Sequence, residues 1–468
     1  MKLVKSLAIG ALALACVGSS FATTVKVTGS TAFRKALYNA IISQGYTRAV
    51  YVTSKVTTID GANQAIFKKP ASNDYVIAAL SGSVGGVHWI ATSGDVAIVA
   101  PFDANYANWT TQAWLNPANA TIAADLAATA SAATASTSGV PTGGTQLLSN
   151  VDPTADIIAA NTTYFSAHGP ANFTLSDSFQ DSTPDAGLGL TLADNGTQGN
   201  DGKAIHSNSS LGVVQFVIAK GVDTYGVAAN LTNINATSFR ALSNLGTLSL
   251  DAITGVAADA GTTAVLVGRD TDSGTRLATI FETAISQDVT SNVAQYSALN
   301  LAGTIDVGVK GGSNTIGQLN VWGTQSGYSS GGYVKNALNA SLDAGGVKLD
   351  GAAASKKVIV LGYVSTGDKP TVAAQALAYN GTPQSSYATQ NLPYTFWTYE
   401  FGYYNLASNV KNDLGATIVN AGKPDATQIT EINKITAALA DSYVTTAGGL
   451  TLNSMNVARE IEGGAVHF

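Results

Sequence analysis

The most constraining stretch of this sequence is VLVGRDTDSGTRLATIF, residues 265–281. Its apolar start fits a buried strand. Ser273, Gly274 and Thr275 then open a segment in which Leu277, Ile280, Phe281, Ala284 and Ile285 recur at the spacing of one helix face. A strand that turns tightly into an amphipathic helix is half of a βαβ unit. The turn itself has chemical character. A helix N-terminus offers unpaired N–H groups and a partial positive charge, which together favour an anion. Ser273 and Thr275 add hydroxyl donors, and Gly274 lets the backbone approach a ligand. Arg269, at the end of the strand, brings a planar fork of donors to the same crevice, with Asp270 or Asp272 placed to brace it.

The same unit recurs. TTVKVTG (23–29) alternates and is β-branched, so it reads as a strand, with Ser30 and Thr31 as N-cap candidates for a helix carrying Arg34, Leu37, Tyr38, Ile41 and Ile42. GSVGG (82–86) is another hydroxyl-bearing, glycine-rich turn. LGVVQFVIAKG (211–221), AVLVGR (264–269) and KKVIVLGYVS (356–365) are further strand candidates. Strands alternating with helices predict an α/β fold with mostly parallel sheets. SAATASTSGVPTGGTQ, at the centre of residues 117–160, reads as an insertion or loop outside the core. Residues 117–134 alone would also suit an Ala-rich surface helix.

The chain has 468 residues, enough for two lobes. Only 12 % are charged and the net charge is −6. That excludes a nucleic-acid backbone partner, which needs basic clusters. Any anion site must be local. MKLVK, SLAIGALALA and SSFA read in order as the basic, apolar and small-residue parts of an export signal ending near Ala22, too short to span a bilayer. The single cysteine, Cys16, lies inside it. Acylation there is the less expected alternative to cleavage. GSNTIGQL (312–319) lacks the lysine and hydroxyl of a nucleotide loop. His88, His168, His206 and His467 show no zinc spacing, and no nucleophile elbow accompanies them. His88 beside Trp89 reads as a packed ring. No catalysis, metal or cofactor is expected.

Arg-x-x-x-Ser-Gly-Thr at 269–275 resembles the anion loop of the phosphate-binding proteins of bacterial ABC importers, members of the type 2 periplasmic-binding superfamily. TGSTAF (28–33), GSVGGVHWI (82–90), ANFTLSDSFQ (171–180), LGVVQFVIAKG, YSSGGYVKNAL (328–338), KKVIVLGYVS and YTFWTYEFGYY (394–404) resemble further segments of that family, in its order. The resemblance implies two α/β lobes joined by two crossover strands, with a ligand cleft between them. Lobe I would take residues 23–215 and 360–468, with an insertion at about 91–170, and lobe II 216–359. It implies ligand contacts from Ser30, Thr31 and the backbone near Ala32 and Phe33, from Ser83, and from Arg269, Ser273, Gly274 and Thr275. Asp177 would accept a hydrogen bond from a protonated ligand oxygen. The long link between GSVGG and Ser-Asp leaves Asp103 and Asp185 as rivals for that carboxylate. The implied protein is a monomeric, periplasmic or secreted binder of phosphate or a similar protonated oxyanion that serves an ABC permease. The alternative is a cell-surface or secreted structural or adhesive protein on the same fold without ligand transport.

A carboxylate suits phosphate because phosphate still carries a proton near neutrality and sulfate does not. Sites built around one required hydrogen bond reject analogues that lack it by roughly 10⁴–10⁵. Charge-assisted hydrogen bonds contribute about 1.5–3 kcal/mol each, and micromolar binding needs only about 8 kcal/mol.

Overall fold

The computed structural model describes residues 22–52, 58–80, 82–93, 120–129, 132–148, 170–194, 210–285, 292–304, 306–307, 314–322, 326–370, 375–412 and 415–468. The segment expected as an export signal, through Phe21 and with Cys16, the rival Asp103 and most of the segment 91–170 lie outside them.

Twelve strands form the main sheet: β1 Thr24–Gly29, β2 Arg48–Val52, β3 Gln64–Lys68, β4 Tyr75–Ala79, β5 Thr145–Leu148, β6 Phe173–Ser176, β7 Thr191–Leu192, β8 Ser210–Lys220, β9 Thr247–Ser249, β10 Thr262–Val267, β11 Lys357–Ser365 and β12 Trp397–Tyr404. Their order is β9–β10–β11–β8–β12–β6–β1–β4–β3–β2–β5, with β7 beside β12. The helices used below are α1 Arg34–Ser43, α2 Ser83–Thr92, α3 Ala120–Ala127, α4 Ala236–Leu245, α5 Gly274–Glu282, α6 Gly331–Asn339 and α7 Ala426–Ala438.

The fold is α/β in two lobes. β1 to β6 and β12 build one, and β9 to β11 the other. β8 runs through both. Its residues 210–215 pair with β12, and Phe216 to Lys220 pair with β11. The expected lobe boundaries fall inside β8 and β11. Three apolar cores follow. One joins Val27, Leu37, Phe67, Phe173, Phe216, Leu266 and Tyr363. A second packs Trp89 and Ile90 of α2 on Ile66, Ile77, Trp397 and Phe401. The third puts Val334 and Leu338 of α6 on Val217, Val265 and Val360.

Four expectations are corrected. The sheet is mixed, not mostly parallel: β1 is parallel to β4 and β6, β10 to β11 and β2 to β5, but the other pairs run antiparallel. Short reversals such as β2–β3–β4 lay strands down antiparallel wherever no helix intervenes. Ser30 and Thr31 do not cap α1, which begins at Arg34 with Phe33 in the cap position. Arg34 anchors that start through Nε to the Asp60 carbonyl (2.6 Å) and Nη1 to Asn63 (2.6 Å). The helix after Ser273 ends at Glu282. Ala284 takes a left-handed φ of 51°, so Ala284 and Ile285 fall off the predicted face. The Ala/Ser/Thr-rich stretch is not wholly outside the core architecture, because its Thr145–Leu148 adds β5 in parallel to β2. Upstream, α3 forms from the Ala-rich segment and buries Ile122 and Leu126.

Candidate functional site

Several strands end at one place. β1 and β6 run parallel to each other and β10 runs opposite to both, so their carboxyl edges point at one another from the two halves of the sheet, where helices α2 and α5 begin. Open α/β sheets gather ligands at such edges.

Gly82 turns the chain into α2 with φ 136° and ψ 158°, a conformation open to glycine alone. It brings α2 against the turn before α5. The N–H groups of Val84 and Gly85 donate to the Asp272 carbonyl at 2.9 and 3.3 Å. Ser273 caps α5, its hydroxyl accepting from the Arg276 N–H at 3.2 Å. The Ser273 hydroxyl, expected from the sequence as a donor to an anion, serves here as the acceptor that caps the helix.

Asp177, just beyond β6, sits where the two helix N-termini meet, only 2 % exposed. The Ser83 hydroxyl donates to its Oδ1 and accepts from its backbone N–H at 3.1 Å. The Thr275 hydroxyl donates to Oδ2 at 3.4 Å. The carboxylate lies so close to the α5 turn that a Cβ on Gly274 would fall 1.8 Å from Oδ1. Burial pushes the Asp177 carboxyl up from the usual carboxylate range; Ser83, the Arg269 charge, its own backbone and Thr275 oppose that push.

Arg269 is 2 % exposed. Its Nε donates to the Tyr328 carbonyl (2.9 Å) and Nη2 to the Ser329 carbonyl (3.1 Å). Its backbone N–H donates to the Tyr363 hydroxyl at 3.1 Å, and its carbonyl accepts from Gln295 at 2.8 Å and Arg276 at 3.1 Å. These contacts fix the guanidinium within electrostatic reach of Asp177. Backbone carbonyls thus brace it.

Of the residues singled out from sequence, Ser83, Gly274 and Thr275 each meet Asp177. Arg269 stands beside them and Ser273 caps their helix. Ser30 is buried at the same edge, its N–H donating to the Leu175 carbonyl at 2.8 Å. Thr31 is buried, Ala32 is half-buried, and the Phe33 side chain enters the apolar core. Asp185 is turned elsewhere: both its oxygens lie 3.1 Å from Nδ1 of His88, on α2. His88 is therefore a hydrogen-bond partner of Asp185 and not only a packed ring.

Sequence reading missed three groups. Glu400, in the aromatic strand β12, is fully buried. Burial and the nearby Asp177 charge hold its carboxyl well above the usual range, weakly opposed by the Ser30 hydroxyl. Glu462 is raised for the same two reasons, and the Phe179 N–H (3.2 Å) and Arg459 oppose the rise. Arg459 stacks 4.4 Å over the Trp397 ring and pairs with Glu282 at 3.3 Å. A lone glutamate inside WTYEFGYY is the signal that could have pointed to the first of these.

No protein-family model and no curated protein matches the chain. Among solved structures, it is similar to an ABC-type phosphate transport receptor from Vibrio cholerae, with a TM-score of 0.39 and 10 % identity over 92 % of this chain and 100 % of that one. It is also similar to PstS from Borrelia burgdorferi, with a TM-score of 0.30 and 10 % identity over 92 % and 98 %. Likeness at that distance says nothing of the ligand of this chain. Among the described residues, no helix is long and apolar enough to cross a membrane, and no group of three or more His, Cys, Asp or Glu is arranged to hold a metal.

Proposed function

We propose that this protein binds a small tetrahedral oxyanion of the phosphate class between its two lobes, as an extracytoplasmic solute-binding protein serving an ABC permease. One observation carries the reading: two helix N-termini, two hydroxyls and a fixed guanidinium, drawn from both lobes, converge on the Asp177 carboxylate. Each of those groups favours negative charge. Asp177 supplies the acceptor that a protonated oxyanion needs and a bare one repels. In the closed arrangement the carboxylate itself rests against Ser83, Thr275 and Gly274. An incoming anion would part the lobes, take those donors, and leave Asp177 facing its proton. Lobe closure over a ligand is a common hinge motion.

The contacts also favour a second reading, a structural protein that keeps the fold and has no ligand. The Asp272 carbonyl and the Asp177 carboxylate already serve the N-termini of α2 and α5. A thermal melt with phosphate, arsenate and sulfate separates the two. Ligand at about 100 times its Kd stabilises the native state by about 2.7 kcal/mol. A rise in Tm with phosphate and arsenate but not sulfate is the expected result. No shift with any oxyanion would leave the structural reading standing.

A further inference from the structure

The site has polar atoms that these contacts leave unused. Glu400 is fully buried, and neither of its carboxyl oxygens has a hydrogen-bond partner among the described residues. The same is true of the buried Ser30 and Ser178 hydroxyls. Ser30 lies by Glu400, and Ser178 lies by Asp177 and Gly274. Buried polar groups are nearly all hydrogen-bonded in folded proteins, so such atoms mark where a partner belongs.

Backbone geometry aims Glu400 at this point. Glu400 pairs with Gly212 of β8, but Phe401 pairs with Ser210, so Leu211 forms a bulge. Bulges re-aim side chains and are enriched beside functional sites. On its other edge β12 pairs Phe401 with Ser176, which sets Glu400 across from Asp177.

We propose that Glu400 is a second ligand-reading carboxyl of the oxyanion site, so that the site takes the singly charged, doubly protonated form of a tetrahedral oxyanion, dihydrogen phosphate or dihydrogen arsenate. This rests on the oxyanion reading above. The charge count supports it. Asp177 is faced by Ser83 from α2, by Arg269 and by Thr275 from α5. Glu400 is faced by Asp177, Ser30 and Tyr403. Glu462 faces Asp177 and lies by Arg459. Arg269 is set against Asp177, Arg276 is held on the Arg269 carbonyl, and no guanidinium acts on Glu400 among the described residues. Like charges this close do not all ionise. A ligand oxygen opposite each carboxylate must bring a proton. Which oxygen holds it does not change the count.

The sign follows from linkage. Above the pH at which the folded, ligand-free protein releases its extra carboxyl proton, the complex holds more protons than the dianion and the free protein do apart, so affinity falls as pH rises there. Isothermal titration of phosphate into the full chain from about pH 5 to about pH 8 reads this. The wild type should lose about tenfold in affinity per pH unit at the alkaline end. Glu400→Gln, whose amide can donate to an unprotonated oxygen, should lose most of that slope. Should Glu400→Gln not fold, Glu400→Asp withdraws the carboxyl by one methylene and should weaken acid-side binding about tenfold or more. Equal wild-type affinities at both ends, an unchanged slope in Glu400→Gln, or unchanged acid-side affinity in Glu400→Asp would overturn the assignment and leave oxyanion binding intact. No phosphate binding at any pH would overturn both.

Discussion

Gly82→Ala tests the contact on which the site depends. At Gly82 the first lobe meets the second backbone to backbone, and a Cβ there would fall 2.3 Å from the Asp272 carbonyl oxygen. Its nearest neighbours, the carbonyl oxygen and carbon of Asp272 at 2.3 and 2.8 Å, are main-chain atoms, so no side chain can swing aside. Two costs add. A residue other than glycine at φ 136° is strained by about 1–3 kcal/mol. Pushing the turn away breaks the Val84 and Gly85 hydrogen bonds to Asp272, worth about 0.5–1.5 kcal/mol each. The sum is about 2–6 kcal/mol. Urea denaturation followed by tryptophan fluorescence measures it, since Trp89 lies on α2 itself and is buried. Gly187→Ala is the control. Its φ is 77°, and nothing lies within 4 Å of its would-be Cβ, so it carries backbone strain of about 1–2 kcal/mol and no clash. If Gly82→Ala is no more destabilising than Gly187→Ala, the lobes do not touch there and the account of the site fails with them.

Two further outcomes follow from particular residues. The Glu400 carboxyl is raised above its unfolded value, so the folded state binds the extra proton, and Glu400 lowers stability progressively as pH climbs from about 4.3 toward the folded value. Glu400→Gln should therefore be more stable than the wild type in neutral urea melts, with the gain shrinking toward about pH 4; a gain independent of pH would contradict this. Asp425 caps α7 by accepting from the Thr427 and Gln428 N–H groups, both at 2.8 Å, in a box closed by the Gln428 side chain. Asp425→Ala should cost about 0.5–2 kcal/mol in the same assay, and a loss well below that would show that the helix end is held by its packing alone.

What could be read from the sequence was mostly local. Alternation in TTVKVTG, the apolar runs that became β8, β10 and β11, and the helix opening at Ser273–Thr275 are properties of a few adjacent residues, and each formed where expected to within two residues. Strand direction was not legible, because it depends on which distant strand comes alongside. Thr145–Leu148 became an edge strand only because β2 offered it a free side. Ser30 and Thr31 have the chemistry of caps, but Asp60 and Asn63 hold Arg34 and set the helix start three residues further on. At the site, the sequence pointed to the hydroxyl turns and Arg269. The resemblance set Asp177 and Gly274 around one ligand but not against each other, because that contact joins residues 97 positions apart across the two lobes. Glu400 was hidden in the same way, since one acidic letter among aromatic ones acquires meaning only from the strands on either side.

The shared strand has a mechanical consequence. β8 exchanges its neighbour between Gln215, opposite Trp397, and Phe216, opposite Ser365. Each lobe is thus riveted to its own stretch of a single extended segment. A swivel of one against the other twists β8 at that step, as well as the chain that returns after β11, and at the step Tyr394 pins the Phe216 carbonyl at 2.6 Å and Thr389 holds the Gln215 side chain at 2.9 Å. How wide the molecule can gape therefore depends on how far this pinned step can twist.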